Sequence, residues 1–224
     1  MRIVFVPGFT QTARSWDPVV AALRGDAEAM ELDVPSGPDF VGTAHAVGDA
    51  GGTGTYVGYS AGGRLCLQLA LDRPELVERL VLVSASPGIA DPVERAARRD
   101  ADELLAQEIE RDGIGAFLDR WLAQPLFATL PRDAAALDTR ERDPAVLTHA
   151  LRALGQGAQE PLWDRLPELR VPVTLVVGSL DEKYTTIARA MARHLSAARV
   201  HVIGGAGHAL HLEQPEALAD VLAS

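Results

Sequence analysis

The chain has 224 residues, 47% hydrophobic and 23% charged, which is the composition of a globular domain large enough to bury a sizeable core. A formal charge of −10 argues against a nucleic-acid backbone as the main partner, while leaving room for a pocket that carries its own arginines. Cys66 is the only cysteine, so an intrachain disulfide is excluded, and no apolar run has the length of a signal peptide's core with its cleavage site or of a membrane span; a cytoplasmic enzyme is the expectation.

Short β-branched runs alternate with longer amphipathic stretches, the pattern of a parallel sheet covered by helices. In chain order, strands are expected at Ile3–Val6, Ala29–Leu32, Thr55–Gly58, Leu80–Ser84, Val173–Val177 and Arg199–Ile203. Helices are expected at Trp16–Leu23, Ala61–Leu71, Thr186–Leu195 and Pro215–Leu222. The stretch from Asp33 to Thr55 is short and glycine-rich, with room for at most a two-turn helix near Phe40–Gly48. From Asp91 to Arg170 the pattern changes to charged helical segments without a convincing strand. The fold expected is therefore α/β: an open, mostly parallel, doubly wound sheet, trimmed at its N-terminus, with a helical cap inserted before the last two strands. Residues 1–90 and 171–224 form the two parts of the core and 91–170 the cap, in one compact unit.

The site begins at Gly58-Tyr59-Ser60-Ala61-Gly62. This is the G-x-S-x-G pattern in its required setting, after a strand and before a helix, where a strained turn exposes a nucleophilic serine. Asp181 follows the next-to-last strand and His208 the last one. Serine, acid, histidine is the chain order of an α/β-hydrolase triad, with His208 taking the Ser60 proton and Asp181 orienting the imidazole. The oxyanion donors are expected at the backbone N–H groups of Ala61 and of Phe9, in the loop Val6-Pro7-Gly8-Phe9-Thr10. Pro7 lacks an N–H, but the donor lies two residues on. His211 is expected to support His208; His45, His149, His194 and His201 show no metal-ligand spacing, and neither metal nor cofactor is expected. Cys66 reads as a small core side chain.

Beyond the triad, the chain resembles the 2-succinyl-6-hydroxy-2,4-cyclohexadiene-1-carboxylate synthases of menaquinone biosynthesis, a family of the α/β-hydrolase fold. The resemblance is carried by V-G-Y-S-A-G-G-R (57–64), E-R-A-A-R-R (94–99), W-L-A-Q-P-L-F (121–127), G-S-L-D-E-K-Y (178–184) and G-A-G-H-A-L-H-L-E-Q-P-E (205–216). It implies a lyase that removes a proton from a succinylated cyclohexene dicarboxylate and expels pyruvate. It implies carboxylate binding by Arg64 and Arg98, and a pocket wall from Tyr59, Trp121 and Phe127. Arg64, one helical turn beyond Ser60, has the reach for a bidentate carboxylate contact. The bland alternatives are an ion pair between Arg64 and a structural acid, an exposed position for Arg98 with Arg95 or Arg99 in its place, and simple cap packing for Trp121 and Phe127. The partner implied is a small carboxylate-bearing substrate; the oligomeric state stays open. The competing activity is a serine hydrolase of small esters, thioesters or carbon–carbon bonds with the same triad, and a binding module without catalysis is the third possibility.

Overall fold

A computed structural model describes residues 2–131 and 134–223. Its centre is a six-stranded, all-parallel sheet built from β1 (Arg2–Val6), β2 (Glu28–Glu31), β3 (Gly54–Tyr59), β4 (Val77–Val83), β5 (Val173–Gly178) and β6 (Ala198–Ile203), in the spatial order β2-β1-β3-β4-β5-β6. Each strand expected from the sequence is present, with edges shifted by no more than three residues. Strand side chains alternate between two cores. Val4 and Val6, Leu80 and Leu82, and Leu175 and Val177 face one core; Ile3 and Phe5, Val81 and Val83, and Val176 face the other. Burial on both faces is why these strands read as apolar runs.

The first face is covered by α2 (Phe40–Gly51), α3 (Ala61–Asp72) and α6 (Glu182–Ala192). The second is covered by α1 (Asp17–Ala22), α7 (Leu210–Glu213) and α8 (Pro215–Leu222). Trp16 enters that face from a 3-10 turn rather than from α1 itself, and its indole packs 5.1 Å from the Phe5 ring. The helix expected at Thr186 begins earlier, at Glu182, because Asp181 caps it. The helix near Phe40 runs three turns rather than two. Asp39 caps its start by accepting from Gly42 N at 2.7 Å, and small glycines let it lie close on α3, where a Cβ at Gly48 would meet Leu69 at 2.6 Å.

Between β4 and β5 the chain forms α4 (Pro92–Leu122) and α5 (Pro144–Leu154), each opened by a capping aspartate followed by proline. The two helices share a small core of their own, with Ile109, Phe117, Leu147 and Leu151 at its centre. No strand occurs in this segment among the described residues; its one bridge joins Arg140 to Gln11, in the loop after β1. The strand order reverses direction at β1 and β3, so a crevice opens at their carboxyl ends. The β1 end carries Pro7–Phe9 and the β3 end carries Ser60. No described helix is long and apolar enough to cross a membrane.

Candidate active site

Ser60 occupies the tip between β3 and α3 at φ 49°, ψ −107°, a backbone conformation that costs a serine on the order of 1–3 kcal/mol. Its N–H is held by the Val83 carbonyl at 2.8 Å, so the strand pairing continues into the turn. Three glycines make the turn sterically possible. A Cβ at Gly58 would lie 2.6 Å from the Gly63 backbone, and one at Gly62 would collide with the carbonyls of Val6 and Pro7. Phe9 and Ala61 both line the cavity beside Ser60. As the first residue of α3, Ala61 has an N–H that lacks an intrahelical acceptor.

The acid and the base arrive on neighbouring strand ends. Asp181 is buried, and both of its oxygens are used: Oδ1 accepts from Tyr184 N at 3.1 Å, and Oδ2 lies 2.7 Å from His208 Nδ1. A carboxylate only accepts, so Nδ1 carries the proton and Nε2 turns its lone pair to Ser60 Oγ, 3.3 Å away. The loop bearing His208 lies tight on the end of β5, where a Cβ at Gly178 would collide with the Ala206 and Gly207 carbonyls. The imidazole is framed by Tyr184 at 4.4 Å, Tyr59 at 5.4 Å and Phe127 at 6.1 Å between ring centroids. His211 packs 4.1 Å from the Tyr59 ring and contacts Gln11 through Nε2 at 3.2 Å. Burial, then the charges of Arg140 and His208, hold it well below the ordinary histidine range, so it is neutral at pH 7.

Above the triad lies a cavity of about 800 Å³ between the sheet and the helices α4 and α5. Arg64 lines it and is 6% exposed. Its terminal nitrogens donate to Gln159 Oε1 at 2.9 Å and to the Leu154 carbonyl at 2.7 Å. The structural acid considered for it is absent among the described residues within ion-pair distance. Burial lowers the guanidinium to about 10, which leaves it charged at neutral pH. Arg98 lines the same cavity, one-third exposed. Its Nε donates to Asp102 at 2.7 Å and a terminal nitrogen to Gln156 at 3.2 Å. Its neighbours point elsewhere: Arg95 pairs with Glu160, and Arg99 donates to the Gly157 carbonyl. Arg98 is therefore the cavity arginine of the three.

Tyr59, Trp121 and Phe127 all line the cavity. Trp121 packs edge-on to Phe9 at 5.1 Å, stacks on Phe117 at 5.7 Å, and leaves Nε1 without a hydrogen-bond partner. It belongs both to the packing of the insertion and to the wall, so the two readings of it coincide. Arg140 is a cavity residue that no sequence signal marked. It is buried, lines the cavity, and donates to the Ala135 carbonyl at 3.1 Å and to Thr10 Oγ1. No carboxylate pairs with it among the described residues. Lys183 and Tyr184, within the G-S-L-D-E-K-Y run, also reach the cavity. Cys66 is buried away from it, its thiol pushed up by desolvation. His45 pairs with Asp72, His149 with the Gly37 carbonyl, and His194 packs near Trp163. No cluster of three or more His, Cys, Asp or Glu suited to a metal occurs among the described residues.

This arrangement brings together a serine hydroxyl, an imidazole whose Nε2 faces it, the cavity-lining residues Phe9 and Ala61, and two buried cations without a paired acid among the described residues. Comparison with known proteins places it among relatives. A model of the alpha/beta hydrolase family matches residues 3–221. A Bacillus subtilis (strain 168) protein named as a 2-succinyl-6-hydroxy-2,4-cyclohexadiene-1-carboxylate synthase is 37% identical over 172 residues, covering 74% of this chain and 63% of that protein. The chain thus spans less than two thirds of that relative. The synthase of the same name from Enterobacter sp. (strain 638) is 32% identical over 237 residues, covering 99% of this chain and 90% of its own length. The solved structure of MenH from S. aureus superposes with a TM-score of 0.92 at 27% identity, covering 100% of this chain and 92% of that one.

Proposed function

The chain belongs to the alpha/beta hydrolase family and, within it, to the 2-succinyl-6-hydroxy-2,4-cyclohexadiene-1-carboxylate synthases; from that premise we propose that it is a lyase of menaquinone biosynthesis, eliminating pyruvate from a succinylated cyclohexene dicarboxylate. The observation that carries this reading is the cavity itself, in which the Ser60–His208–Asp181 line faces the buried guanidinium groups of Arg64 and Arg140. A neutral ester needs no such cations. A substrate with several carboxylates does, because each guanidinium offers a planar fork of donors matched to a carboxylate.

In the proposed reaction His208 Nε2 takes the Ser60 proton, and Ser60 Oγ removes the substrate's C–H proton. That electron pair forms the new ring double bond, the bond from the ring to the enolpyruvyl oxygen breaks, and the departing enolate collects a proton and becomes pyruvate. Asp181 stabilises the imidazolium and holds its tautomer. The N–H groups of Phe9 and Ala61, with the N-terminus of α3, stabilise the enolate-like charge. Arg64 and Arg140 hold carboxylates and Arg98, already paired with Asp102, adds hydrogen bonds from its terminal nitrogens, while Tyr59, Trp121 and Phe127 shape the wall. Neither water nor an acyl-enzyme enters the balance. We read residues 91–170 as a cap over the strand ends and the cytoplasm as the working compartment.

The deciding experiment measures pyruvate release from the succinylated cyclohexene substrate beside turnover of a p-nitrophenyl ester. Wild type is expected to release pyruvate, with Ser60→Ala and His208→Ala losing roughly 10²–10⁴-fold in kcat. Rapid ester turnover without pyruvate would replace the lyase by a serine hydrolase.

A further inference from the structure

The turn after α5, residues 155–159, packs tightly against the cationic side of the cavity. A Cβ at Gly155 would collide with the Asp102 carboxylate and the Leu151 carbonyl, and one at Gly157 with the backbone of Arg99. Arg99 in turn donates twice to the Gly157 carbonyl, at 3.1 and 2.8 Å. Pinned in this way, the turn presents two amides to the pocket's arginines. Gln156 Oε1 accepts from Arg98 at 3.2 Å, and its Nε2 donates to Tyr184 Oη at 3.2 Å. Gln159, fully buried, accepts from Arg64 at 2.9 Å. Gly88, at φ 94°, lies behind the Gln159 amide, where a Cβ would sit 3.3 Å from Cδ and Nε2.

We propose that Gln159 is a positioning residue that makes the pocket selective for carboxylates: it aims Arg64 through a neutral oxygen and leaves the guanidinium charge for the ligand to meet. Burying an ion without a counter-charge is strongly unfavourable, and the usual remedy is a carboxylate partner. Arg64 has none within ion-pair distance among the described residues; its two hydrogen bonds here go to an amide oxygen and the Leu154 carbonyl, and its Cζ lies 5.4 Å from the Phe40 ring centroid. Arg98 differs, because Asp102 already neutralises it. A guanidinium has five N–H donors, so two directed bonds fix its plane and leave donors for a ligand. Glutamate matches glutamine in shape but brings a charge. At position 159 it would satisfy Arg64 from within and remove the reason for a ligand carboxylate to bind.

The inference rests on the carboxylate-binding reading of the pocket, not on the elimination reaction. Its test uses the full chain with succinate as the probe, and follows fluorophosphonate labelling of Ser60 in wild type, Gln159→Glu and Gln159→Met. Each protein is normalised to its own labelling rate without succinate, and KM and kcat for pyruvate release are measured alongside. The half-protecting succinate concentration is expected to rise at least tenfold in Gln159→Glu. It should rise only a few-fold in Gln159→Met, which loses the aim of Arg64 but not its charge. KM should follow the same order, with kcat changing less. Protection of Gln159→Glu within twofold of wild type would overturn the proposal, as would equal losses in the two variants, which would reduce Gln159 to a packing role. The expected order of protection in a chain that releases no pyruvate would uphold the proposal and remove the lyase reading.

Discussion

Ser60 and Arg140 both line the cavity, one from the turn after β3 and the other from the segment between α4 and α5. Ser60 sits in a motif whose glycines are demanded by local sterics: Gly58 and Gly62 face backbone atoms where no Cβ fits, so any sequence with this turn must show them. Arg64 comes with the same motif, since one helical turn fixes its place relative to Ser60. Arg140 has no local signature. It reaches the cavity because residues 139–141 lie along residues 10–12, with Thr12 N donating to the Thr139 carbonyl at 3.0 Å and Glu141 N to the Thr10 carbonyl at 2.9 Å. That pairing spans most of the chain and is invisible in either segment alone. Arg140→Gln keeps the packing and removes the charge. A hydrogen bond to a charged group contributes about 1.5–3 kcal/mol, so KM for the carboxylate substrate should rise roughly ten- to a hundredfold in steady-state pyruvate assays. Arg140→Lys should recover only part of this loss, because an ammonium lacks the planar fork.

At the scale of elements, strands were legible to within three residues because both faces of the sheet are buried, which forces continuous apolar runs. Helix α2 was underestimated. Its three glycines, Gly42, Gly48 and Gly51, weaken helix propensity, and the close approach of Gly48 to Leu69 of α3 is a tertiary contact that the local sequence does not show. Helix α4 contains a break that periodicity did not mark: Gly113, at φ 81°, ψ 166°, divides its long N-terminal segment from Ile114–Leu122. The break turns the second segment so that Phe117 and Trp121 pack on Phe9, whose backbone N–H is a proposed oxyanion donor. A Cβ at Gly113 would meet no atom within 4 Å, so the obstacle to a side chain there is conformational. Gly113→Ala should therefore cost about 1–3 kcal/mol of stability, read as a lowered urea midpoint. An unchanged midpoint would mean that the backbone at 113 relaxes without penalty.

At the scale of the whole molecule, pH acts on stability through groups such as the Asp17 and Glu31 carboxyls, which interact at the edge of the sheet. Glu31 ends β2 with Oε2 buried, and burial, then the hydrogen bond and charge of Asp17, raise its carboxyl from 4.5 to about 7. The folded state thus favours the protonated form, whereas the unfolded chain ionises near 4.5. Its contribution is whole below pH 4.5 and is lost as pH rises through about 7. Glu31→Gln holds that group neutral: its urea midpoint should match wild type near pH 4 and exceed it at pH 8. Coincident pH profiles would show that Glu31 ionises freely in the fold. By itself the sequence determined the strand set, the nucleophile turn, the chain order of serine, acid and histidine, and the family, because each is written in short segments under local steric or periodic constraint. Only the tertiary structure decided which of Arg95, Arg98 and Arg99 enters the cavity, that Arg140 joins it, and that Arg64 is held by neutral oxygens. Those facts depend on contacts between segments distant along the chain, and no local spacing encodes them.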